Sequence, residues 1–179
     1  SVFEYGEIEG IPYIVMEYVQ GRELRDYLKD HQPMPLANAV AIIVQVLHAL
    51  GHAHASGVIH RDIKPGNVIL LADGQVKVAD FGIARLETTS TMTQQGMTIG
   101  TPGYMAPEQF SGREADRRVD LYSTGVVLFE MLTGVRPFVG RSASELMYQV
   151  MNEPPRRATL LNPRLPVELD DVLGKALAK

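Results

Sequence analysis

Residues 58–70 read VIHRDIKPGNVIL, a polar turn set between two apolar runs. Val58 and Ile59 lead in, and residues 68–71 are apolar again. His60, Arg61, Asp62, Lys64 and Asn67 crowd the turn. Polar side chains packed this closely between two buried strands cost stability unless they serve some chemistry. The next stretch indicates which. Residues 68–71 form a short strand, residues 72–75 (ADGQ) a turn in which Gly74 can take positive φ, and residues 76–78 the return. The return brings Asp80 toward Asn67. These two then offer hard oxygen ligands from two segments, which suits Mg²⁺ shared with phosphate. Asp62 is placed to meet a hydroxyl beside that ion, and Lys64 to reach a transferring phosphoryl group. A base, a cation and metal ligands together describe phosphoryl transfer, where positioning and charge neutralisation do most of the catalysis.

At these residues the chain resembles a family. His60-Arg61-Asp62 with Asn67, then Asp80-Phe81-Gly82, then Ala106-Pro107-Glu108, resemble the protein-kinase signature in order and spacing. Lys64 within HRDIKPGN resembles the serine/threonine branch. IHRDIKPGNVIL and DFGIAR are similar to bacterial eukaryotic-like kinases. One such tripeptide is a weak signal; three in register around a hairpin are specific. The resemblance implies an α+β fold: a mostly helical C lobe with a remnant of the antiparallel N-lobe sheet. It implies transfer of the ATP γ-phosphoryl group to a protein Ser or Thr, with Asp62 and Lys64 catalytic. Asn67 and Asp80 would hold Mg²⁺, for which Mn²⁺ can substitute. ATP would contact Met16 (gatekeeper), Glu17 and Val19 (hinge, with Tyr18 between), Lys64, Asn67 and Asp80.

Residues 1–19 are expected to hold the last two N-lobe strands and the hinge. Residues 2–7 and 13–19 are the β-rich runs, separated by Glu9-Gly10. Without the motifs downstream they would read as an edge hairpin and a linker. Residues 20–179 are expected to form the C lobe. A short helix is predicted over 23–28, and Pro35 opens a long one in which Leu36, Val40, Ile43, Leu47 and Leu50 recur at helical spacing. Ile42, Val44 and Val46 make it apolar almost all round, so it is expected inside. His48 and His52 stand four apart there but lack the Glu of a metalloprotease motif; His54 is expected near the catalytic turn. A second central helix is predicted over 116–134, stopped by Gly134. A helix over 144–151 has Ser144 as its predicted cap, residues 154–166 read as a loop, and 167–178 as an amphipathic helix.

Residues 80–108 resemble an activation segment, rich in hydroxyls. Thr93 is the leading phosphosite, with Thr91 and Thr98 behind it. Arg61, and Arg85, would receive the phosphate, since guanidinium pairs bidentately with it; a plain surface salt bridge is the other reading of Arg61. Thr101 matches the family threonine that bridges base and Lys64 at the substrate strip, or else serves turn chemistry between glycines. His60, Phe81, Gly82, Glu108 and Asp120 match structural positions. The resemblance has His60 supporting the loop and Asp120 anchoring the catalytic turn's backbone; helix N-terminal charge is the alternative for Asp120. In the family Glu108 pairs with an arginine that the resemblance places just beyond Lys179, so this pair is not expected within these residues.

The chain has 179 residues, 45% of them hydrophobic and 21% charged, enough for one domain with a core. A net charge of −4 without a basic stripe argues against a nucleic-acid surface. The absence of cysteine excludes disulfides, thiol catalysis and zinc–thiolate sites. No signal peptide or membrane-spanning run is read; Leu36–Ala55 and residues 123–134 are the nearest candidates, taken as buried helices. The glycine-rich phosphate cover and the ATP-pairing lysine are expected before Ser1, and a last helix after Lys179. This stretch alone is therefore expected to transfer little or no phosphate. Protein substrates, autophosphorylation or dimerisation, and a cytoplasmic location follow from the resemblance, with any membrane tether outside this stretch. Two other readings are a pseudokinase-type binding or scaffold module, whose usual loss of base or metal ligand is not seen here, and a small-molecule phosphotransferase, which lacks a strip like residues 100–108.

Overall fold

The computed structural model describes residues 2–81, 102–111 and 115–179. It opens with an antiparallel hairpin, β1 (Val2–Ile8) and β2 (Ile11–Met16), with Ile8 paired to Ile11. The two-residue turn puts both Glu9 (φ 53°) and Gly10 (φ 79°) at positive φ, the type whose twist matches the strands. The second strand starts earlier than predicted and stops before the linker. Phe3, Tyr5, Ile8 and Ile11 are exposed on the hairpin.

Glu23 lies in a strand and not at the predicted helix start. β3 (Arg22–Glu23) pairs antiparallel with β4 (Val68–Leu70), and β4 with β5 (Val76–Val78). The helix that follows, α1, spans Leu24–Asp30. Propensity alone cannot see β3, because a two-residue strand exists only by pairing with a distant one.

Helix α2 (Leu36–Ala55) packs against α4 (Arg118–Thr133). Its buried face is Ala39, Ile43, Val46, Leu50 and Ala53, while Val40, Val44 and Leu47 are exposed. The expectation that this helix lies inside on all sides is therefore corrected: α4 covers one face only. By length and composition α2 is apolar enough to cross a membrane, contrary to the sequence reading; a core helix meets the same test.

The helix enclosed on nearly all sides is α4, with Val119, Tyr122, Val126, Val127, Phe129, Met131 and Leu132 buried. Two apolar clusters meet on it. One gathers Leu24, Leu28, Ile43, Leu50, Ile63, Val68 and Phe129; the other Ala106, Val119, Tyr122, Phe138, Leu146, Val150 and Leu177. Gly134 (φ 78°) ends the helix in the left-handed conformation, its N–H donating to the Glu130 carbonyl.

The remaining helices are α3 (Pro107–Phe110), α5 (Ala143–Asn152), α6 (Ala158–Leu161) and α7 (Glu168–Ala176). The cap of α5 is Ser142 and not Ser144: its hydroxyl accepts from Glu145 N at 3.1 Å while Glu145 Oε2 accepts from Arg141 N. Ser142-x-x-Glu145 is a legible capping signal. Helix α6 interrupts the predicted loop, held by Asp170 accepting from Thr159 N and Oγ1.

Candidate active site

The polar turn is built around one buried carboxylate. Asp120, in the first turn of α4, is fully buried. Its Oδ2 accepts from His60 N (2.9 Å) and His54 Nε2 (2.7 Å), and its Oδ1 from Arg61 N (2.7 Å). Those bonds hold Arg61 at φ 65°, a left-handed conformation that non-glycine residues adopt at some cost. Gln109 of α3 holds the same residue from its carbonyl side, Nε2 donating to Arg61 O at 2.9 Å while Oε1 accepts from Ala106 N. His60 is fully buried, its Nδ1 accepting from Asp62 N, which makes Nε2 the donor to Ala79 O at 2.9 Å. Its ring lies 4.6 Å from that of Phe81. The Arg61 side chain is exposed.

Asp62 presents the two halves of its carboxylate differently. Oδ2 accepts from Lys64 Nζ at 2.6 Å and Asn67 Nδ2 at 3.2 Å. Oδ1 takes no hydrogen bond from any described residue. Asn67 is nearly buried and also donates to the Asp62 carbonyl at 2.9 Å. Its amide nitrogen is thus committed to Asp62, which leaves its oxygen for a ligand. Val68 pairs with Val78, and Ala79 N donates to Asn67 O at 2.8 Å. The hairpin so returns Asp80, at φ 56° and exposed, to the strand end where Asn67 begins. Among the described residues no cluster of three His, Cys, Asp or Glu could hold a metal unaided. An amide oxygen and one carboxylate suit a hard divalent ion that completes its shell with phosphate oxygens and water.

Beyond this turn lies the strip Pro102–Tyr104, a 3-10 turn leading into α3. Ser123 Oγ donates to Tyr104 O at 2.7 Å, and Tyr104 Oη donates to Glu130 Oε2 at 2.7 Å. Burial raises the Glu130 carboxyl above its ordinary value near 4.5, opposed by the Tyr104 bond and by Arg136. A carboxyl raised on folding binds more protons folded than unfolded between the two values. Stability from this group is therefore full below pH 4.5 and is lost as pH rises through the raised value. Glu130→Gln should flatten that part of the stability profile, checked by urea midpoints measured from pH 4 upward in both proteins.

The linker residues are arranged less tightly. Met16 is 46% and Tyr18 90% exposed, and Val19 is half-buried. Glu17 Oε1 accepts from Lys77 Nζ of β5, a hydrogen bond that, with the lysine's charge behind it, holds the Glu17 carboxyl below its usual range. Glu108 lines a cavity of about 500 Å³ with Asp116, Arg118 and Tyr122, whose buried hydroxyl has no hydrogen-bond partner among the described residues. A cavity of about 870 Å³ lined by Tyr27, Met34, Ile42, Leu70 and Val76 contains none of Asp62, Lys64, Asn67 or Asp80. Gly82, Arg85, Thr91, Thr93, Thr98 and Thr101 lie outside the described residues.

Three contributors were missed in the sequence. Gln109 follows the APE tripeptide directly. Lys77 is a strand residue with no local signal. Gln45 of α2 accepts from Val76 N at 3.0 Å and donates to Gly74 O at 3.2 Å, tying the hairpin to the helix. A lone Gln on an apolar helix was the available signal for the last.

Comparison with known proteins gives the following. The protein kinase domain profile matches residues 3–177. The chain is 46% identical over 178 residues to "Probable serine/threonine-protein kinase PknB" of Bifidobacterium longum, covering 98% of this chain and 26% of that protein. It is 45% identical over 184 residues to serine/threonine-protein kinase PknB of Mycobacterium leprae, covering 100% and 30%. To the relative named "Probable serine/threonine-protein kinase SCO3848" of Streptomyces coelicolor it is 44% identical, covering 98% and 26%. The chain thus spans about a quarter to a third of the length of the relatives it matches.

Proposed function

The chain belongs to the protein kinase family, and on that premise we propose that the full-length protein is a serine/threonine kinase acting on proteins in the cytoplasm. The observation that carries this is the divided carboxylate of Asp62, one oxygen engaged by Lys64 and Asn67 and the other taking no hydrogen bond from the described residues. Oδ1 accepts the proton of a substrate hydroxyl as that oxygen bonds to the γ-phosphorus and the bond to ADP breaks. Lys64, held beside the base, balances charge developing on the transferred group. Mg²⁺ held by Asn67 Oδ1 and Asp80 would supply the remaining charge neutralisation. Met16, Glu17 and Val19 form the adenine side, and Thr101 belongs to the acceptor side.

Thr93, Thr91 and Thr98 are the proposed phosphosites, with Arg61 receiving the phosphate. Arg61 is suited to this because its backbone is pinned while its side chain is exposed. Activation by autophosphorylation or dimerisation belongs to the same proposal.

The test is transfer of labelled γ-phosphate from Mg²⁺–ATP to Ser or Thr of a generic basic protein by the full-length protein. Turnover expected is about 1–100 s⁻¹. Nucleotide binding with no transfer to any protein would overturn this reading in favour of a binding module. Residues 1–179 expressed alone are expected to transfer little, and strong turnover by them would contradict the need for further nucleotide-binding parts.

A further inference from the structure

The strip Pro102–Tyr104 is held from a place that the catalytic turn does not reach. Arg136, three residues past the end of α4, is half-buried and lies across the strip. Its Cζ stands 5.7 Å from the Tyr104 ring centroid. A β-carbon at Gly103 would collide with Arg136 Nη1 and come within 2.9 Å of Cζ and 3.3 Å of Cδ. The guanidinium therefore occupies the space that any other residue at 103 would need. Gly103 itself is buried. On its far side the Tyr104 hydroxyl is tied to Glu130, on which Arg136 acts as a nearby positive charge.

We propose that Arg136 is a positioning residue for the protein substrate, seated on Gly103 and setting the place of the strip against which the acceptor segment lies. The proposal rests on the kinase reading above and adds to it a residue outside the signature motifs. The two residues fit as a pair: the arginine needs glycine beneath it, and the glycine leaves a gap without the arginine. Ala at 103 displaces the guanidinium, because the atoms it meets are the far end of a flexible side chain. Loss of Arg136 should loosen the strip without touching Asp62, Asn67 or Asp80.

The experiment is a double-mutant cycle in the full-length protein with Arg136→Ala, Gly103→Ala and the pair together. Arg136→Ala should raise KM for an acceptor protein about fivefold while KM for ATP changes less than about twofold, since misplacement affects only the group that is misplaced. Gly103→Ala should act similarly with Arg136 present and add nothing when it is absent. Hydrogen exchange of residues 102–110 should rise in each single variant and no further in the double. Independent, multiplying effects, or equal changes in both KM values, would overturn the proposal. If the wild type transfers no phosphate, the kinase reading falls, and the exchange cycle still decides whether Arg136 seats the strip.

Discussion

Asp62→Asn in the full-length protein should lower turnover by about 10²–10⁴-fold, the range of a lost general base, and leave Mg²⁺–ATP affinity within about threefold. The substitution keeps the shape and removes the charge. It also puts an amide nitrogen or oxygen where Oδ2 now accepts from Lys64 Nζ at 2.6 Å and Asn67 Nδ2 at 3.2 Å. If the nitrogen occupies that place it faces two donors; if the oxygen does, the nitrogen faces the incoming hydroxyl. Either way the proton acceptor is gone. Asn67 keeps its bond to the Asp62 carbonyl, so its oxygen stays in place for the proposed ion. Single-turnover transfer measured beside a nucleotide thermal-shift titration separates the two quantities. Equal losses in both would mean that Asp62 serves nucleotide binding, and the proposed division of its carboxylate would be wrong.

Asp120→Asn should cost about 3 kcal/mol of folding stability, as breaking a buried charged network does, and should abolish transfer with it. Asp120 is fully buried and accepts from His60 N, Arg61 N and His54 Nε2. An amide offers one oxygen and adds two donors, so at least one backbone N–H must face another donor in a dry site. Arg61 then loses the bond that holds its N–H at φ 65°, and the carboxylate of the next residue, Asp62, moves with it. His54→Gln removes one contact and should cost less, about 1 kcal/mol. Urea midpoints of the two variants in residues 1–179 or the full-length protein give the comparison. A loss below about 1 kcal/mol for Asp120→Asn would show the turn to be held by other contacts.

Much of the site could be read because its parts are close in sequence. Asp62, Lys64 and Asn67 share one turn, and a three-residue strand on each side of the ADGQ turn returns the chain to Asn67. Local turn chemistry is enough to forecast that. Helices α2 and α4 were legible from apolar spacing, but their environments were not. Stripe composition made α2 look enclosed, whereas α4, with serine, threonine, glycine and an aspartate among its buried residues, is the one surrounded. Packing partners on every side decide burial, and they come from distant segments. The same reason hid β3, which exists only as a partner of β4.

From the order of its residues alone the chain resembles a phosphoryl-transfer site, since the proposed ligands, base and cation are set by type and short spacing. Folding had to decide how that turn is held still: an aspartate some 60 residues downstream grips its backbone, Gln109 closes it from α3, and Arg136 bears on Gly103. Such contacts leave no periodic trace, because each joins two side chains or backbone groups only once, at a place fixed by how the helices stack.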